Sequence, residues 1–310
     1  MISFRYHVVT VTAVFLALAI GVVLGAGPLR GGDETLVRQA RADRDAKSGL
    51  QTQVDTMQAQ QRFGDDFAGT VATGLLRGTL RGHAVTVVGL PSARQADVTA
   101  LTHLIGVAGG SVAGTARVGD RLLDAGSRQL VDELGSQLEG PANGVQVPAG
   151  ASPYARIGAL MARAVGARAP GGAGVDVAGT RILAALDTAK VLSVQGRLTR
   201  RGDLVLLVAG SGRGTVDARR GAASIVQAVA QAIDGGTRGV VLAGPPPSAG
   251  TDGPVHAVRS DAAAAKDVST VDALGPTAGS VVTVLALAGQ ASGHAGHYGA
   301  VDAADGAMPH

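Results

Sequence analysis

His294 and His297 stand three residues apart, a spacing that on a helix puts two imidazoles on one face, where they could ligate a metal. Gly293 and Gly296 interrupt that helix, and neither a carboxylate nor a third histidine lies nearby in the sequence. The pair is therefore a weak metal candidate, set against the ordinary reading of a polar helix end. Soft metals prefer thiolate or thioether ligands. The chain has no cysteine, and Met1, Met57, Met161 and Met308 do not cluster.

A second pattern is Gly210-Ser211-Gly212-Arg213-Gly214-Thr215, which follows a predicted strand, where a phosphate-cradling loop belongs. Thr215 occupies the place of the last glycine, and nothing matches the lysine and hydroxyl of a P-loop. With 47 glycines in the chain, such a run arises without selection for nucleotide. Ser224 falls inside a predicted helix rather than on a G-x-S-x-G elbow, and His83, His103 and His256 have no assigned partners. The expectation is no enzymatic activity, no catalytic residue and no cofactor.

The elements that would carry these groups begin with an apolar run. Arg5 and His7 precede a stretch from Val8 to Leu29 with no charged residue, and about 20 apolar residues suffice to span a bilayer core. Residues 1–30 read as a membrane anchor. The alternative is a cleaved signal, with a small-residue site at Gly25, Ala26 and Gly27, but the run is longer than the usual h-region. Arg30, Arg38, Arg41, Arg44 and Lys47 follow on the far side, so charge counting leaves the orientation open. One amino-terminal span before a long soluble segment favours export, with the soluble part extracytoplasmic.

Residues 33–81 read as a helical stalk. Leu36, Ala40, Asp43, Lys47, Leu50, Val54, Met57 and Gln61 recur at alternating steps of four and three, the seam of a coiled coil made impure by Asp43 and Lys47. The stalk either pairs with a second copy or an envelope partner through residues 33–63, or lies as a single helix on the following domain. A second short helix is expected from Asp66 to Arg81, stopped by Gly82.

The period then changes. Strands are expected at Ala84 to Leu90, Ser111 to Val118, Asp203 to Ala209, Gly239 to Ala243 and Val268 to Val271, with helices at Arg94 to Val107, from Ser152-Pro153, at Arg219 to Ile233 and at Pro276 to Ala291. Residues 120–200 read as mainly helical. Alternating strands and helices imply an α/β fold, a Rossmann-like doubly wound domain over 83–298. Residues 299–310 are expected to be a disordered tail.

Composition limits the partners. A net charge of +3 and 2 % aromatic residues leave little for bases to stack on, so nucleic acid is not expected. Without cysteine, an exported domain is held by its core alone, and 46 % hydrophobic residues in 310 supply a sizeable one.

The opening M-I-S-F-R-Y-H-V-V-T, continued by V-F-L-A-L-A-I-G-V-V-L-G from Val14 to Gly25, resembles the amino terminus of the actinobacterial MctB-type copper transporter family. Three more matches follow, S-T-V-D at Ser269 to Asp272, V-L-A-L-A at Val284 to Ala288 and G-H-Y-G at Gly296 to Gly299. The resemblance implies a membrane-attached envelope protein of copper efflux or homeostasis. It also implies an alternative, since related members act as coiled-coil partners in cell-wall hydrolysis and cell separation. Copper as a bound ion rests on the resemblance alone. A channel through an outer membrane would need a series of alternating strands of about 9 to 11 residues, which this sequence does not offer.

Overall fold

The computed structural model describes the backbone at residues 4–26, 29–140, 143–145 and 147–309, and the side chains of 7–23, 25, 39–140, 143–145 and 147–309. The chain divides into two units, Met1–Arg62 and Phe63–His310.

In the first unit, α1 covers Phe4–Ala26. Its described side chains from residue 7 to 23 are exposed around the whole circumference. Among the described residues, no helix is long and apolar enough to cross a membrane. The small-residue site at Gly27 and the side chain of Leu36 lie outside the described residues.

α2 is one continuous helix, Leu29–Leu76, so the expected break between a stalk and a second helix at Asp66 does not exist. Helix also stops at Leu76 rather than Arg81, because Gly78 adopts φ +79° and residues 77–82 turn. Side chains from 39 to 64 are exposed, including Leu50, Val54 and Met57, whereas Ala68, Ala72 and Leu76 are buried.

The second unit is built on a seven-stranded sheet. Its strands are β1 (Ala84–Gly89), β2 (Ser111–Val118), β4 (Leu192–Gln195), β6 (Leu204–Val208), β7 (Gly239–Ala243), β8 (Ser269–Val271) and β9 (His297–Tyr298). Their order is β4-β2-β1-β6-β7-β8-β9. All neighbours are parallel except β4, which runs antiparallel to β2. Two further short strands, β3 (Ala173–Gly174) and β5 (Arg200–Arg201), pair with each other. The stretch 120–200, expected to be mainly helical, thus also contains three strands.

Side-chain alternation along the strands builds two cores on the two faces. Val88, Val205, Leu207, Val240 and Leu242 face one core with α5 (Arg128–Leu138), α6 (Pro153–Val165), α7 (Val177–Thr188), α8 (Val216–Asp234) and the short α9 (Pro254–Ser260) and α10 (Ala262–Asp267). Val87, Leu206, Val208, Val241 and Ala243 face the other, with α3 (Gln95–Val107), α11 (Thr277–Ala291) and the end of α2. A four-residue α4 (Asp120–Leu123) follows β2. Helix starts are locally encoded: Ser152 Oγ accepts from Ala155 N at 3.1 Å with Pro153 in the first turn, and Thr215 Oγ1 accepts from Ala218 N at 3.3 Å.

The segment after Gly299 is not the disordered tail its composition suggests. Gly299 N donates to Gly306 O at 3.1 Å and Asp305 N to His297 O at 3.1 Å. A buried acceptor far away in sequence, Asp272, also binds Ala300 N and Val301 N.

Candidate functional site

β1 and β6 lie side by side, yet the chain leaves β1 for α3 on one face and β6 for α8 on the other. A crevice opens at such a switch point, outside the strands' carboxyl ends, and ligands of open α/β sheets bind there. Here the glycine run of residues 210–214 forms one wall and Leu90-Pro91-Ser92 the other. The walls are close: Gly210 N donates to Ser92 Oγ at 3.1 Å, and a Cβ on Gly210 would lie 1.8 Å from the Ser92 carbonyl oxygen. Gly214, at φ +88°, turns the chain into α8.

The cavity is about 250 Å³, below the roughly 300–1,000 Å³ usual for cofactor pockets. Its acidic residues are Asp120, Asp124 and Asp252, its basic ones Arg213 and Arg219. Arg219 is committed, with Nε 2.7 Å and Nη2 2.5 Å from Asp252 Oδ2 and Nη1 donating to Gly214 O at 2.7 Å. Asp124 is committed too, accepting from Gly126 N at 3.0 Å and Ser127 Oγ at 3.2 Å. A polyphosphate would meet this acidic rim at short range. The crevice suits a small neutral or cationic group, and no histidine lines it to serve Ser92 as a base.

The two candidate metal histidines do not share a helix. α11 ends at Ala291; His294 lies exposed in the turn beyond it, and His297 is on β9. Nδ1 of His297 sits 2.9 Å from Thr270 Oγ1. Burial, then the neighbouring Arg259 charge, lowers the pKa of the ring. Nδ1 is thus spent on the fold. Among the described residues no three histidine, cysteine, aspartate or glutamate side chains converge as a metal site. Met161 is buried, while Met57 is exposed on α2 and Met308 is exposed in the segment after β9. Met1 lies outside the described residues. Of the other singled-out residues, His83 Nδ1 contacts Asp203 Oδ2 at 2.7 Å beneath β1 and β6, and Ser224 Oγ donates to Arg220 O at 3.2 Å within α8.

What the sequence did not reveal is the centre that S-T-V-D and G-H-Y-G build together. Asp272 is fully buried, with Oδ1 accepting from Ala300 N at 2.7 Å and Oδ2 from Val301 N at 2.8 Å. Arg259 reaches it from α9, with Nη1 3.4 Å from Asp272 Oδ2, Nε donating to Thr270 Oγ1 at 2.9 Å and Nη2 to Tyr298 O at 2.9 Å. Gly299 is required here: at φ +139°, a Cβ would lie 1.4 Å from Asp272 Oδ1. Ser269 Oγ accepts from Gly296 N at 3.1 Å and Gln290 Nε2 at 2.9 Å. An aspartate directly after a short strand was the available clue, but its partner, 13 residues earlier on α9, carries no motif.

The whole chain, residues 1–309, matches the family model described as "Copper transport outer membrane protein, MctB". The Copper transporter MctB of Mycobacterium tuberculosis (strain ATCC 25618 / H37Rv) is 30 % identical over 316 residues, covering 96 % of each chain. The Copper transporter MctB of Mycobacterium leprae (strain TN) is 30 % identical over 324 residues, again with 96 % of each covered.

Proposed function

The chain belongs to the MctB family, and from that premise we propose that it serves copper homeostasis from the cell envelope. It does so as a protein anchored by α1 with its α/β unit on the extracytoplasmic side. The observation that carries this is the surface of α1. The described side chains of α1 put large aliphatic groups, from Val8, 49 % exposed, to Val23, 72 % exposed, on every side; they fall short of a full span by themselves, and the uncharged run from Val8 to Leu29 in the sequence supplies the remaining length. Each such side chain gains about 1.5–3 kcal/mol by leaving water, and hydrocarbon accepts them all without a directional partner.

Copper as cargo comes from the names of the relatives. The residues in hand favour an accessory role over a conducting one: soft donors are scattered, and one span lines a pore only in a many-copy assembly. No turnover chemistry is assigned to the chain.

A second reading, a non-transporting coiled-coil partner in control of cell-wall hydrolysis and cell separation, is favoured by Leu50, Val54 and Met57, exposed on α2 at seam spacing. One experiment separates the two: a deletion strain assayed in parallel for copper accumulation and for chained, unseparated cells. The first reading fails if copper content is unchanged, the second if separation is normal. A reporter fused after His310 that works only outside the cytoplasm, together with an intact amino terminus on the mature chain, tests the anchor.

A further inference from the structure

On the face opposite α3 and α11, away from the strands' carboxyl ends, a trough of about 840 Å³ runs between α6 and α8. Ala155, Ala159 and Ala162 line it from α6 at steps of four and three, and Ala228 and Ala232 face them from α8. The floor is close-packed: a Cβ on Gly158 would lie 2.6 Å from that of Ala232. With 13 residues, α6 gives the trough a length of about 20 Å.

At the carboxyl end of α6 the lining turns cationic, with Arg163, Arg168 and Arg201. Arg201 Nε donates to Gly174 O at 3.2 Å and Nη1 to Arg163 O at 3.1 Å, and Arg168 donates to the Gly235 carbonyl. Arg163 Nη2 pairs with Asp176 Oδ2 at 2.5 Å, while its Nη1 is buried without a hydrogen-bond partner. Burial, and then the Arg163 charge, lowers the pKa of Arg201, and Asp176 offsets this only in part. Near Arg168 stands Asp234, whose carboxyl is pushed up to about 6 by burial and then by Asp267. The pocket thus joins an apolar channel to an under-neutralised pair of guanidinium forks, the geometry that matches carboxylate and phosphate.

We propose that this trough binds an amphipathic organic anion, its carboxylate or phosphate head held by Arg163 and Arg201 and its apolar body laid along the alanine floor. The volume lies within the roughly 300–1,000 Å³ of ligand pockets. The site requires neither copper nor the switch-point crevice.

The test titrates octyl phosphate, inorganic phosphate and octanol into the full chain in zwitterionic nanodiscs by calorimetry, with empty nanodiscs as the reference for partitioning. Octyl phosphate is expected to bind saturably at one site, about tenfold or more tighter than inorganic phosphate or octanol alone. Arg163→Gln with Arg201→Gln should weaken it about tenfold or more, and Arg201→Lys, which keeps the charge but loses the fork, should weaken it less than Arg201→Gln does. Ala159→Phe, which fills the trough, should weaken octyl phosphate alone and leave inorganic phosphate unchanged. The proposal is overturned by octyl phosphate uptake no greater than that of empty nanodiscs, or by wild-type affinity in a folded double variant. If the double variant does not fold, unchanged octyl phosphate affinity in Ala159→Phe overturns it.

Discussion

Asp272 shows how a single carboxylate can hold several segments. It accepts two backbone amides beyond Gly299 and faces Arg259, whose side chain is only 10 % exposed. Removing one member of a buried charged pair leaves the other uncompensated, typically at a cost of about 3–5 kcal/mol. Asp272→Asn should therefore lower the stability of the body by about 3 kcal/mol in chemical denaturation, and a change below about 1 kcal/mol would show that Arg259 finds water instead. Asp234 gives the opposite sign. Burial and Asp267 raise its carboxyl to about 6, above the unfolded value near 3.8, so the native state binds the proton more tightly. Stability falls as pH rises from about 4 to 6, and the penalty is fully present above that window. Asp234→Asn, which removes the buried charge, should raise Tm by about 2–4 °C at pH 8 and leave it unchanged at pH 3.5. The sequence exposed neither effect, because each depends on neighbours brought in by the fold. His294 and His297 were legible as a pair, and their separation onto a turn and a strand was not.

At the scale of elements, the five central strands and most of the major helices were legible, since β-branched runs and helical spacing are local properties. α2 was misread at Gly64-Asp65-Asp66, a cluster that resembles a loop followed by a helix start. The helix passes through because Gly64 faces open space, and Asp65 is used elsewhere, accepting Thr277 N at 2.5 Å to cap α11. β4 and β9 escaped notice because strands of four and two residues are defined by their partners, not by their own pattern. The continuity of α2 sets up a comparison within one helix. Leu50→Asp with Val54→Asp should reduce association about a hundredfold or more in sedimentation, on the order of 1.5–3 kcal/mol per side chain, and leave the thermal transition of the body unchanged. Leu76→Ala, which empties a fully buried site beside Leu80, should cost the body about 2–5 kcal/mol and leave association intact. If Leu50 and Val54 unfold the body, the stalk is part of the core.

At the scale of the whole molecule, the α/β body came from period, whereas the depth of the α6–α8 trough came only from packing at Gly158. If α1 is the anchor, the chain should stay with membranes through washes at molar salt and alkaline pH, because apolar burial is not screened as surface charge is. Release by salt alone would point to a peripheral attachment. The clamp on β9 also has a bearing on solubility. A sheet is safest where its borders offer no template, and the β4 border is short and carries exposed Ser193 and Gln195. On the other side, Ser269-Thr270-Val271 of β8 is wholly buried because β9 covers it. Losing the Asp272 clamp would uncover the unpaired backbone edge of β8, ready to accept a strand from a neighbouring molecule. The damage from such a lesion would then grow with protein concentration, appearing as aggregation between chains before any one chain unfolds.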